Sequence, residues 1–103
     1  MDAILTSLVE TGGSDLHLKV GQPPVFRIKG DLFSTESPPL TKEQIEELLF
    51  SIISPEMKEK FYKERELDFS YQVPGVARFR GNLLFQKGLI GGVFRVIPAE
   101  IPT

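Results

Sequence analysis

The apolar positions of this chain change period several times. Ile4, Leu5, Leu8 and Val9 recur at i, i+1, i+4 and i+5, the spacing of one helix face. They predict a short helix over about residues 3–11, with Asp2 as its cap and Gly12 and Gly13 as its stop. SDLHLKVG then alternates: Leu16, Leu18 and Val20 fall on one side of a strand, Asp15, His17 and Lys19 on the other. Beyond the GQPP turn, PVFRIKG predicts a second strand. Gly30 and Asp31 signal another turn, and residues 32–34 a short third strand. The three strands read as an antiparallel meander.

A helical block follows. Thr41 with Gln44 makes a capping box, and Leu40 with Ile45 a hydrophobic staple. Ile45, Leu48, Leu49, Ile52 and Ile53 form one apolar stripe. Ser54 and Pro55 begin a second helix of the block. Met57 and Phe61 are its buried pair, and Lys58, Glu59, Lys60, Lys63, Glu64 and Arg65 its solvated face. Alternation returns in ELDFSYQV, VARFRGNLLFQ and LIGGVFRVIP, separated by turn signals at Pro74 with Gly75 and at Lys87 with Gly88. Gly91 and Gly92 precede a strand rather than a helix, so they read as a bulge or a close backbone approach. Helix, three strands, two helices, three strands is an α+β order. It predicts helices on one face of an antiparallel sheet of about six strands.

Composition changes the functional picture more than the fold. A chain of 103 residues, 41% hydrophobic and 25% charged, fits one globular domain. A net charge of −2 provides no basic field for nucleic acid. Without cysteine there is no disulfide framework or thiolate metal site, a usage that suits a reducing cytosol, and the one histidine excludes a multi-histidine metal site. No apolar run reaches the roughly 20 residues that span a bilayer. The start, MDAILTSLVETGG, lacks the basic segment of a signal peptide. Neither GxxxxGK[ST] nor GxGxxG occurs.

Two constellations hold candidate chemistry. Asp15 and His17 share a strand side and could form a carboxylate–imidazole pair, but no nucleophile accompanies them; Ser14 reads as a turn or capping residue. The structural reading of His17 is a strand residue that bonds a neighbour or faces a domain interface. The second constellation is VARFRGN, which puts Arg78, Arg80 and Asn82 on one strand side. A two-residue turn at Lys87 and Gly88 aligns Arg80 with Arg95 on the next strand. Like charges opposed on a sheet cost stability. An anion at that face would convert repulsion into binding, since guanidinium forks match phosphate oxygens. In the other reading, Arg78 and Arg80 pair with Asp68 or Glu66 on the preceding strand. The spacing leaves both open.

Five stretches together resemble a known family. SDLHL, QPPVFRIKGDL, ELDFSY, VPGVARFRGN and GGVFRVIP closing with AEIPT are similar, in this order and over essentially the whole chain, to the N-terminal domain of the type IV pilus retraction ATPases. ARFR-N followed by FR-IP is the most specific part, whereas SDLHL is shared with secretion and pilus-assembly ATPases. The resemblance implies a PAS-like α+β domain over residues 1–98 and the start of an interdomain linker at 99–103. It implies a cytoplasmic homohexamer at the inner-membrane base of the pilus that hydrolyses ATP with Mg²⁺ to power retraction and twitching motility. The catalytic motifs belong to a RecA-like C-terminal domain that this sequence lacks, so the piece is expected to be inactive and to bind neither cofactor by itself.

By the same resemblance, Arg80 and Arg95 contact the terminal phosphate of the nucleotide, and Arg78 is a third candidate. The partners implied are the chain's own C-terminal domain, neighbouring subunits and the inner-membrane platform. Asp15, His17, Val76, Val93 and Ile97 are candidates for the interface. Only one short helix precedes SDLHL, which favours a retraction-type ATPase or its accessory paralogue. The alternatives are a piece of a type II secretion or pilus-assembly ATPase, and a PAS-type ligand-sensing module.

Overall fold

The structure, a computed structural model, describes residues 1–97. The boundary and linker expected at residues 98–103 lie outside the described residues. Three helices and six strands follow one another as α1 (Asp2–Glu10), β1 (Asp15–Lys19), β2 (Val25–Ile28), β3 (Asp31–Ser34), α2 (Lys42–Phe50), α3 (Pro55–Glu64), β4 (Glu66–Val73), β5 (Ala77–Gln86) and β6 (Leu89–Ile97). This is the expected PAS-like α+β order.

Local chemistry accounts for most boundaries. At α2 the Thr41 hydroxyl accepts from the Gln44 amide while the Gln44 side chain accepts from the Thr41 amide, a complete capping box. Thr41→Ala is expected to cost about 1 kcal/mol, read as a lower urea midpoint at unchanged m. Ser54 caps α3 by accepting from the Met57 amide, with Pro55 at the first helical position. The expected stripe of α2 is cut short: the helix ends at Phe50, and Ile52 and Ile53 pack on the core from the following turn. The cap expected from Asp2 is not made. Met1 holds that position without a side-chain bond, and the Asp2 carboxylate instead accepts from the Tyr71 hydroxyl. That bond, then burial and the carboxylate's charge, push the Tyr71 phenol up to about 12.

The strands form one antiparallel sheet in the order β3-β2-β1-β6-β5-β4. Two meanders, β1–β3 and β4–β6, therefore join where β1 lies beside β6. The pleat sends Leu16, Leu18, Phe26, Leu67, Val73, Phe79, Leu83, Ile90 and Phe94 to one face. There they bury with Leu5 and Leu8 of α1, Ile45 and Leu49 of α2 and Phe61 of α3 in a single core. Two glycines let this face close. A Cβ on Gly92 would stand 3.1 Å from a Leu49 methyl, and one on Gly81 2.7 Å from the Phe69 ring. Gly91 and Gly92 pair one-to-one with Lys19 and Leu18, so they mark a close approach rather than a bulge.

Candidate functional site

Among the described residues no helix packs on the opposite face of the sheet, and its side chains follow from register. One row across it reads Leu32, Arg27, Asp15, Arg95, Arg80 and Ser70, one residue from each strand in sheet order. The next row reads Ser34, Val25, His17, Val93, Asn82 and Asp68. Arg78 and Ile97 are partners on the other side of the arginine row. Arg80 and Arg95 are thus direct cross-strand neighbours. This face also gathers Asp15, His17, Val93 and Ile97 of the interface candidates. Val76 is separate: it sits in the β4–β5 turn and packs on the core.

The two opposed arginines are held differently. Arg95 donates from Nε to Oδ1 of Asp15 at 3.1 Å, although 74% of its own side chain is exposed. Asp15 is only 6% exposed, and its second oxygen accepts from the Ser14 hydroxyl at 2.7 Å. Alternation alone places Asp15 outward and Ser14 in a turn. The residue does point away from the core, but flanking strands and the Arg95 side chain cover it. Arg80 approaches Asp68 only to 4.0 Å, and both side chains are more than half exposed. An ion pair of that kind contributes roughly 0–1 kcal/mol. The Asn82 amide donates to both Glu66 and Asp68, competing for the carboxylates beside Arg80.

Burial pushes the Asp15 carboxyl up, but the bonds from Ser14 and Arg95, then the charges of Arg95 and His17, more than offset it. Together they hold the group below its ordinary value. A folded-state pKa below the unfolded one gives stability that is full above about pH 4 and lost as pH falls through the folded value. Asp15→Asn should therefore flatten that part of the acid limb, measured by urea unfolding between about pH 6 and about pH 2. Asp15 and His17 form no carboxylate–imidazole pair: the carboxylate bonds Arg95 and Ser14, while the His17 Nε2 is buried with no hydrogen-bond partner among the described residues.

A groove of about 790 Å³ begins at His17 and Val93, one row from Asp15 and Arg95, and reaches Leu32 at the β3 end of the arginine row. Val25, Leu32, Leu84 and Leu89 line it with Lys19, Ser34 and Gln86. Its lining is mostly apolar with polar edges, and the row beside it carries three arginines, Arg27, Arg95 and Arg80, around Asp15.

No protein-family model matches the chain. The type IV pilus retraction ATPase PilT of Pseudomonas aeruginosa is 41% identical over 100 residues, which are 97% of this chain and 29% of that protein. A crystal structure of the pilus retraction motor PilT with bound ADP superposes with a TM-score of 0.89 at 36% identity, covering 99% of this chain and 30% of that one. By sequence and fold, the chain belongs with the N-terminal domains of the pilus retraction ATPases. The type IV pilus ATPase PilU of the same Pseudomonas strain is 32% identical over 99% of this chain. The chain spans 27–29% of the length of these curated relatives. The ATPase DotB of Legionella pneumophila shares the fold, with a TM-score of 0.83 at 24% identity. Among the described residues no helix is long and apolar enough to cross a membrane.

Proposed function

We propose that this chain serves as the N-terminal domain of an ATPase that powers type IV pilus retraction, and that it lends Arg80 and Arg95 to a nucleotide held by another domain. The observation that carries this reading is the direct pairing of Arg80 with Arg95 on the sheet face that no helix covers. Two guanidinium groups side by side on a solvated surface repel, and an oxyanion between them removes that cost. The neighbour with bound ADP supports nucleotide as the anion. Arg78, exposed beside Arg80, is the third donor.

The donor set fits phosphate oxygens. A guanidinium has no lone pair to give a cation, so the Mg²⁺ ligands of this reading belong to the ATPase domain and not to Arg80 or Arg95. ATP with Mg²⁺ would supply the phosphoryl group, whose transfer spreads negative charge over its equatorial oxygens and the leaving oxygen. Arg80 and Arg95 reach into that charge from the sheet and stabilise it, and their grip ties the angle between the domains to nucleotide state. The same face, with Asp15, His17, Val93 and Ile97, then packs on the chain's own ATPase domain and on a neighbouring subunit of a homohexamer, in the cytoplasm beneath the inner-membrane platform.

The test compares two proteins in one ATPase assay. The full-length protein turns ATP over, and the purified 103-residue chain does not. Turnover by the isolated chain would place the catalytic groups here and contradict the reading.

A further inference from the structure

We infer that Asp15, braced by Ser14, is a positioning residue that aims Arg95 at the nucleotide phosphate. The inference rests on the proposed phosphate role of Arg95 and adds how that side chain is held.

A guanidinium has five N–H donors in one plane. Arg95 commits its Nε to Oδ1 of Asp15 at 3.1 Å, and neither terminal nitrogen has a hydrogen-bond partner among the described residues, while most of the side chain is exposed. The acceptor is the opposite of free. Asp15 is 6% exposed, sits on β1 directly opposite Arg95, and has its second oxygen tied to the Ser14 hydroxyl at 2.7 Å. The fixed end of the contact is thus the buried carboxylate, and the projecting end is a fork with its terminal donors available. Holding the guanidinium plane by Nε removes rotamers that an exposed arginine otherwise samples. That loss of freedom is then already made before an anion arrives, which is preorganisation.

Arg80 has no comparable brace, since its Nε lies 4.0 Å from an exposed Asp68. The pair is therefore asymmetric, with one arginine set in place and the other recruited. A carboxylate that only neutralised Arg95 would not need burial, nor a hydroxyl on its far oxygen.

The experiment is a double-mutant cycle on ATP turnover in the full-length protein: wild type, Asp15→Asn, Arg95→Ala and both together, each assayed well below its own melting temperature. Asp15→Asn is expected to lower kcat about tenfold, the order of one lost restraint on a long side chain. Against Arg95→Ala it should have no further effect. Ser14→Ala, which keeps the carboxylate but removes its brace, should fall in the same direction by less, and it carries the test if Asp15→Asn does not fold. An equal effect of Asp15→Asn in both backgrounds, or none in the wild type, overturns the inference and leaves the Arg95 reading standing. Unchanged turnover in Arg95→Ala itself overturns the reading, and the inference with it.

Discussion

In the full-length protein, Arg80→Ala and Arg95→Ala are each expected to slow ATP turnover by about three orders of magnitude, the scale of an arginine that stabilises phosphoryl transfer. Arg80→Ala is the cleaner of the two. Its side chain is 69% exposed, and among the described residues its one carboxylate contact is a loose one at 4.0 Å. Removing it also relieves a like-charge pair with Arg95. Its effect on stability should stay within about 0.5 kcal/mol, so lost turnover cannot be traced to lost structure. Arg95→Ala differs, because it leaves a buried carboxylate with Ser14 alone. A cost of about 1–3 kcal/mol follows from that unmet group. The pair of measurements is turnover beside thermal melting. Loss of turnover with an unchanged melt for Arg80→Ala is the predicted pattern, and full turnover in both variants would remove the phosphate role.

The second large effect lies in the core. Phe94→Ala should destabilise the isolated domain by about 3–5 kcal/mol. Phe94 is fully buried on β6, opposite Leu16 and Gly81 on the two flanking strands, with its ring edge-on to Phe69 at 5.9 Å. It therefore sits at the junction of the two meanders, where neither half of the sheet can close without it. Domains of this size have roughly 5–15 kcal/mol in total, and each kcal/mol moves the midpoint by about 4–8 °C. A fall of well over 10 °C in a circular-dichroism melt is the expected result. A drop of only a few degrees would mean that the junction is held elsewhere.

The contrast between local and distant pairing explains what could be read from residue order. Thr41 with Gln44 and Ser54 with Pro55 announce helices through bonds made within one turn, and all four residues act as their spacing implies. The strands of each meander are joined by short turns, so the pairing of Arg80 with Arg95 followed from a two-residue connection. The pairing of β1 with β6 joins segments about 80 residues apart, and no local signal specifies it. For that reason Asp15 looked like one more outward residue of SDLHL, when it is the buried partner of Arg95. Its only sequence signal was a carboxylate and a hydroxyl side by side, which is common in turns. Val76 shows the same limit of local reading: it neighbours the arginines along the chain, but it sits in the β4–β5 turn, half-buried against the core and away from the arginine row. The Asp2 cap failed for a similar reason: Tyr71, distant in sequence, claims the carboxylate.

A crystal structure of the full-length protein with a non-hydrolysable ATP analogue tests the central claim most directly. The prediction is that terminal nitrogens of Arg80 and Arg95 lie about 2.7–3.0 Å from oxygens of the last phosphate, with the Arg95 Nε still on Asp15. A bound nucleotide whose phosphates are met only by the ATPase domains, with both arginines of the helix-free face turned to solvent or to carboxylates, would contradict it.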